Sequence, residues 1–182
     1  MKTLLLPCAI VASGKTTLAV SLARALGPSM AHVQSDDIKA KKPAPIFIRR
    51  VIEAFDSHDT VFADKNNHLP QHRSTLTRAF REAYPDGLIV ALNWELGGLS
   101  RREVIEIAGQ RIRDRGEEHQ TLTPQKTPEY ERIIGMFLRD RVPIDIEENR
   151  EDALIDHVIY IPYRAREAKV LALVLNFLKR SK

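Results

Sequence analysis

The stretch PCAIVASGKTT, residues 7–17, follows an apolar run at the start of the chain and precedes a segment with helical spacing. It matches the phosphate-binding pattern G-x-x-x-x-G-K-[ST], except that Ala9 stands where the pattern has its first glycine. A strand, a loop and a helix beginning near Gly14 form the arrangement in which backbone N–H groups surround a phosphate. The stretch therefore predicts an NTP-binding site at the start of an α/β fold.

The residue types of this loop each have a chemical reason. Lys15 is expected to bridge the β- and γ-phosphates, and the Thr16 hydroxyl is expected to ligate Mg²⁺. Gly14 allows the backbone to approach a phosphate closely. Alanine adopts most conformations with negative φ, so we expect Ala9 and Ala12 to be tolerated. The expected nucleotide-binding set is Ala12, Ser13, Gly14, Lys15, Thr16 and Thr17.

Apolar runs alternate with segments of helical spacing along the whole chain. The runs that we read as strands are TLLLPCAIV, AHVQ, DTVFADK, GLIVALNW and HVIYIP. Strands that alternate with helices indicate a parallel sheet covered on both faces. We predict a single α/β domain over residues 1–182, with a phosphate-loop NTPase-like parallel sheet of about five strands flanked by helices. A helical lid is expected at approximately residues 100–128.

The composition narrows the classes of protein. The chain has 28 Lys+Arg and 24 Asp+Glu residues, a formal net charge of +4, which permits a phosphate-rich partner without requiring one. The single cysteine, Cys8, excludes an internal disulfide and a cysteine-based zinc site. No apolar segment reaches the roughly 20 residues that a membrane span needs. We therefore expect no membrane association and an intracellular location, in the nucleus, the cytoplasm or both.

Two polar clusters come directly after strands, at the edge where open α/β sheets bind ligands. HVQSDDI contains Asp36 and Asp37; a carboxylate there could take a proton from an attacking hydroxyl, hold a metal through water, or cap the following loop. DKNNH follows the third strand, and its Asp64 suits an acid that holds Mg²⁺ through water. Arg73, a little further on, could reach an acceptor phosphate or lie on a helix surface.

The segment GQRIRDRGEEHQ carries three arginines before the last predicted strand. Arg111 and Arg115 lie one helical turn apart and share a face, whereas Arg113 points elsewhere. An arginine-bearing lid would meet the charge of the γ-phosphate in a transition state. The alternative is an exposed, charged helix.

Five segments in this order resemble the polynucleotide kinase domain of fungal tRNA ligase: GKTT, HVQSDDI, DKNNH, RGEEHQ and RIIGMFLRDRVPID. The resemblance covers nearly the whole chain, and its combination of motifs is far more specific than the phosphate loop. The chain has Ala12-Ser13 where that family usually has Gly-Cys, Ser35 where it usually has Asn, and Lys65 where Arg is common.

The resemblance implies an RNA 5′-OH polynucleotide kinase. Such an enzyme uses Mg²⁺ and transfers the γ-phosphate of an NTP to the 5′-OH end of a cleaved tRNA exon during tRNA splicing, with GTP preferred and ATP as a second donor. It implies that Lys15 and Thr16 hold phosphates and metal, and that Asp36 is the general base. It also implies that Arg73 is an essential arginine and that Arg115 contacts donor phosphates. The substrate-binding set on this view is Asp36, Asp64, Asn66 and Arg73.

The resemblance further implies covalently linked ligase and phosphodiesterase domains, so the chain is expected to be an excised, monomeric domain. Two other functions stay open. A small-molecule or nucleoside monophosphate kinase would share the loop and the lid, but it would not explain HVQSDDI together with DKNNH. A non-catalytic NTP-binding module would have no need of the base Asp36.

Overall fold

A computed structural model describes residues 1–116, 123, 125 and 127–181, and only the backbone of residues 115, 127 and 128. It confirms the predicted α/β class, with one parallel sheet flanked by helices. The strands are β1 Thr3–Cys8, β2 Met30–Gln34, β3 Thr60–Asp64, β4 Leu88–Glu95 and β5 His157–Pro162. The helices are α1 Lys15–Leu26, α2 Pro43–Ala54, α3 Pro70–Ala83, α4 Arg101–Arg115, α5 Thr127–Asp140 and α6 Glu167–Arg180.

The strands are ordered β2-β3-β1-β4-β5 and every neighbouring pair is parallel. β1 is central: Leu5 is paired with Phe62 of β3 on one side and with Val90 of β4 on the other. Because all strands run the same way, the segments that follow β1, β2 and β3 meet at one edge of the sheet. That edge holds the phosphate loop and both polar clusters identified in the sequence.

Alternate residues of β1 pack into two separate hydrophobic cores, one on each face of the sheet. Leu5 belongs to a core formed with α1, α4, α5 and α6. Leu4 and Leu6 point the other way and pack with α2 and α3. All six residues of β1 are buried, as an uninterrupted apolar strand in a doubly covered sheet requires. The carboxyl end of β1, and the loop that follows it, are thus held from both faces.

The ends of several elements follow from local chemistry. α4 begins after Ser100, whose Oγ accepts a hydrogen bond from the Glu103 amide at 3.3 Å, while the Ser100 amide donates to Glu103 Oε2 at 2.8 Å. This reciprocal cap stabilises the first turn. β1 ends at Cys8, earlier than the apolar run suggests, because residues 9–14 form the loop. No helix in the described ranges is long and apolar enough to cross a bilayer.

Candidate functional site

The loop between β1 and α1 contains two left-handed residues. Gly14 has φ 93° and Ala12 has φ 57°. The expectation that alanine would sit at negative φ is therefore wrong for Ala12, where the turn bends in a way that favours glycine. Ala9 has no such strain, and its amide donates to the Asn66 carbonyl at 2.9 Å, which ties the loop to the segment after β3.

Lys15 and the start of α1 give this loop its positive character. The Lys15 side chain folds back so that its Nζ donates to the Ile10 carbonyl at 3.1 Å and lies 3.5 Å from Ser13 Oγ. The N-cap residue of α1 is Gly14, which has no side chain that could cap the first turn. The amides of that turn, with the partial positive charge of the helix N-terminus, are arranged as in an anion-binding site.

Asp64 accepts two hydrogen bonds at one carboxylate oxygen. Thr16 Oγ1 donates to Asp64 Oδ2 at 2.7 Å, and His32 Nε2 lies 3.0 Å from the same oxygen. Burial by itself would raise the pKa of Asp64, but the His32 and Thr16 hydrogen bonds and the charge of Lys15 outweigh it and lower that pKa below its usual value. Asp64 is therefore an ionised carboxylate beside the loop.

Thr16 and Asp64 fit a magnesium ion chemically. A hydroxyl and a carboxylate oxygen are hard donors of the kind that Mg²⁺ prefers, and Mg²⁺ in kinases takes only one or two protein ligands besides phosphates and water. The described residues contain no group of three or more His, Cys, Asp or Glu side chains that could hold a metal by themselves. A magnesium ion here would thus depend on the nucleotide as well as on the protein.

A hollow of about 300 Å³ lies over the loop, and most of the predicted site residues line it. The predicted residues that line it are Ala12, Ser13, Gly14, Lys15, Thr16, Asp36, Asp64 and Asn66. Asp36 comes from the segment after β2; its side chain is exposed, and Ser35 Oγ donates to its Oδ1 at 3.4 Å. The structure thus brings the proposed base and the phosphate loop to one cavity.

Arg73 departs from the sequence-based expectation. The Arg73 side chain is fully buried and uses each of the five N–H donors of its guanidinium. Asp152 accepts two of them, and the carbonyls of Asn67, Val142 and Pro143 accept the others at 3.1–3.4 Å. Arg73 does not line the hollow. It connects α3 to the segment between α5 and β5, and its guanidinium hydrogen bonds are all made within the protein.

Arg115 ends α4, and its side chain lies outside the described residues, as do residues 117–120 of the RGEEHQ motif. Arg111, on the same face of the helix, is described. Its guanidinium donates to the Ala12 carbonyl at 3.2 Å and to the Tyr163 carbonyl at 2.8 Å, and it lies 4.7 Å from the centre of the Tyr163 ring. Arg111 therefore fixes α4 to the phosphate loop.

Two positioning residues, His32 and Asn67, were not predicted from the sequence, and Arg111 was predicted as part of a lid and not as an anchor of the phosphate loop. His32 orients Asp64, as described above. Asn67 has φ 46° and is buried, and its Nδ2 donates to the carbonyls of Pro7 at 3.0 Å and Lys65 at 3.2 Å, so it joins the segment after β3 to β1. His32 and Asn67 both stand inside the motifs HVQSDDI and DKNNH, and asparagine is the residue that best tolerates positive φ after glycine. The sequence therefore contained a signal for each of these two residues.

A second hollow, of about 510 Å³, shares Ser13 and Gly14 with the first. Thr17, which was predicted to bind nucleotide, lines this second hollow and not the first. Arg111, Asp114 and Glu167 contribute to its wall. The phosphate loop therefore borders two hollows, of which one contains Asp36 and the other contains Thr17.

This sheet order, loop and pair of hollows define a phosphate-loop kinase fold. A crystal structure of a fungal RNA kinase superposes with a TM-score of 0.82 at 22% identity, covering 98% of this chain and 86% of that one. Kti12 of Chaetomium thermophilum, solved with ADP-AlF3, superposes with a TM-score of 0.62 at 15% identity over 97% of both chains. At these identities the likeness shows the fold.

The family profile described as the tRNA ligase kinase domain matches residues 4–163, and the chain belongs to that family. tRNA ligase 1 of Schizosaccharomyces pombe is 30% identical over 182 residues, which cover 98% of this chain and 22% of that protein. tRNA ligase of Candida albicans is 27% identical over 169 residues, 88% of this chain and 20% of that protein. The chain thus spans about a fifth of these curated relatives. It is a kinase, and the predicted family and enzyme class are confirmed.

Proposed function

We propose that the chain is an RNA 5′-hydroxyl kinase, which transfers the γ-phosphate of an NTP to the 5′-OH end of a cleaved tRNA exon. One observation carries the proposal: Asp36 lines the same hollow as Lys15 and Thr16. A site that only binds nucleotide has no need of a carboxylate facing its phosphates. The acceptor class comes from the relatives, which are two tRNA ligases and a fungal RNA kinase.

In the reaction, the loop amides, the α1 N-terminus and Lys15 hold the donor phosphates in line with the acceptor. Asp36 accepts the proton of the 5′-hydroxyl while the hydroxyl oxygen attacks the γ-phosphorus. The bond from that phosphorus to the bridging oxygen breaks, so the products are the 5′-phosphorylated RNA and a nucleoside diphosphate. The Thr16 hydroxyl and Asp64 would hold Mg²⁺, which would supply positive charge to offset the charge of the phosphates.

The remaining predicted residues have different kinds of support. Asn66 lines the hollow, and its carbonyl holds the loop through Ala9, which supports a role on the substrate side. Arg73 is assigned a positioning role, because it holds the Asn67 carbonyl from a buried site. Arg115 as a contact to the donor phosphates is supported by its family motif and by its place at the end of α4.

GTP as the preferred donor, with ATP as a second donor, is part of this proposal. Its structural support is the second hollow beside the phosphate loop, where the carboxylates of Asp114 and Glu167 contribute to the wall. A carboxylate accepts two hydrogen bonds from the N1–H and 2-amino groups of guanine, a pair that adenine lacks. We also propose covalently linked ligase and phosphodiesterase domains in the full protein, and a monomeric kinase domain.

The testing experiment combines each of four γ-³²P-labelled NTPs with three acceptors: a 5′-OH oligoribonucleotide, the same sequence as DNA, and a nucleoside monophosphate. We expect most label on RNA, with GTP the best donor and no transfer by Lys15→Ala. Label on the monophosphate alone would make the chain a small-molecule kinase. Nucleotide binding without transfer to any of the acceptors would support the non-catalytic module.

A further inference from the structure

Part of the wall of the main hollow has no role in the mechanism above. It is formed by His68 and His72, which follow β3, and by Phe137 of α5. The His68 ring packs against Phe137 with 4.4 Å between the ring centres and against His72 with 5.7 Å. The three rings form the aromatic part of the wall, which otherwise consists of the phosphate loop, polar side chains and the apolar residues Val11 and Ile112.

Both imidazoles are neutral at physiological pH. Burial, with repulsion from His72, Lys65 and Arg73, lowers the pKa of His68 from 6.5 to about 4, although Asp140 acts in the opposite direction. Burial and the charges of Lys65 and Arg73 lower the pKa of His72 as well. This wall therefore carries no positive charge for a phosphate.

The proton of each neutral ring can be assigned from the contacts. The Nδ1 atoms of His68 and His72 are both buried, and they have no hydrogen-bond partner in the part of the chain that the structure describes. A buried N–H without an acceptor is rarer in proteins than a buried acceptor without a donor. The proton is thus on Nε2 in both rings. The Nε2 atoms are not among the buried atoms without a partner, and both histidines line the hollow.

Two neutral N–H donors beside an aromatic ring suit a particular kind of ligand. The donors match hydroxyl oxygens, and the aromatic surface matches the apolar face of a sugar or base. The hollow also contains Asp36, beside which the 5′-carbon of the acceptor must lie for its hydroxyl to react. The ribose attached to that carbon is the nearest part of the acceptor with further hydroxyl groups.

We propose that His68 and His72, backed by Phe137, form the subsite for the terminal ribose of the acceptor, where an imidazole Nε2–H donates to the 2′-hydroxyl oxygen. The inference rests on the proposed function and extends it. The 2′-hydroxyl is the group that distinguishes RNA from DNA, so this subsite makes the kinase select RNA at the first nucleotide.

The test uses two 5′-OH oligonucleotides that differ by one atom: an all-RNA acceptor and the same sequence with 2′-deoxyribose at the first nucleotide. The wild-type chain should show a kcat/KM about fivefold to tenfold higher for the all-RNA acceptor, the factor expected for one hydrogen bond. The double variant His68→Phe/His72→Phe keeps the rings but removes the donors. It should reduce the ratio of the two kcat/KM values to about one. His68→Gln with His72→Gln restores amide donors and should recover part of the preference.

Equal use of the two oligonucleotides by the wild-type chain would overturn the subsite, and this comparison does not depend on any variant folding. A preference that persists in the double variant would overturn it too, provided that thermal unfolding shows a folded protein. Transfer to neither oligonucleotide, with transfer to a nucleoside monophosphate, would overturn the RNA kinase proposal itself, and the subsite with it.

Discussion

Arg73 and Asp152 form a two-point ion pair that solvent does not reach: Nε lies 2.6 Å from Oδ1 and Nη2 lies 2.7 Å from Oδ2. The pair connects α3 with the segment between α5 and β5. Through the Asn67 carbonyl, Arg73 also holds the end of the segment that lines the main hollow. A residue expected at the acceptor phosphate is thus buried, one hydrogen bond away from Asn67, which lines the hollow.

The first prediction concerns the stability of this pair. Arg73→Ala and Asp152→Ala should each lower the free energy of unfolding by about 3–5 kcal/mol, because each leaves one buried charge without its partner. Replacing both together, as in Arg73→Met/Asp152→Leu, should cost much less, since no buried charge remains. Urea denaturation of the four proteins measures the difference.

Kinase assays of the same variants distinguish a positioning role of Arg73 from direct contact with the acceptor phosphate. If Arg73 acts by holding the site, Asp152→Ala should lose activity together with Arg73→Ala, in parallel with the loss of stability. An active Asp152→Ala beside an inactive, folded Arg73→Ala would return Arg73 to the acceptor phosphate. Assays at a temperature where both variants remain folded make the comparison valid.

The second prediction concerns the general base. Asp36→Asn keeps the size and the hydrogen bonding of the side chain but cannot take a proton. It should lower kcat for transfer to a 5′-OH RNA by about 10²- to 10⁴-fold. Binding of a labelled nucleotide should stay within about twofold of wild type, because the loop residues that hold the phosphates are unchanged. The neighbouring Asp37→Asn is the matched control. Turnover near wild type in Asp36→Asn would remove the base from the mechanism.

The sequence allowed the sheet, its helices and one shared cavity to be predicted, because strand–helix alternation and the position of the motifs after strands are local signals. Arg73 shows the limit of such reasoning. Its partner Asp152 is 79 residues away in sequence, and only folding brings an acid into position to bury the arginine. Ala12 shows another limit, since its positive φ results from the turn as a whole and not from its own residue type.

The third prediction is a gain in resistance to acid when His68 is replaced. The unfolded chain binds a proton at a histidine near pH 6.5, whereas the folded chain resists it until pH about 4. The unfolded state therefore binds more protons in this window, and stability falls as the pH falls through it. His68→Phe removes the protonation that causes this loss of stability. His72→Phe should also reduce the loss, because the pKa of His72 is lowered as well. The urea midpoint should drop less between pH 8 and pH 5 for His68→Phe than for wild type; an equal drop would contradict a neutral His68 ring in the folded protein.

The fourth prediction concerns backbone strain in the phosphate loop. Ala12 has φ 57°, so Ala12→Gly should raise the free energy of unfolding by about 0.5–1 kcal/mol. Ala9→Gly is the matched control: Ala9 is buried without positive φ, and its replacement should lower stability by a similar amount. Gly14→Ala should also lower it, although an added Cβ meets no atom within 4 Å, because φ at Gly14 is 93°. Chemical denaturation of the three variants distinguishes strain from packing. A loss of stability in Ala12→Gly would show that the loop relaxes to negative φ at this residue, where alanine is the better choice.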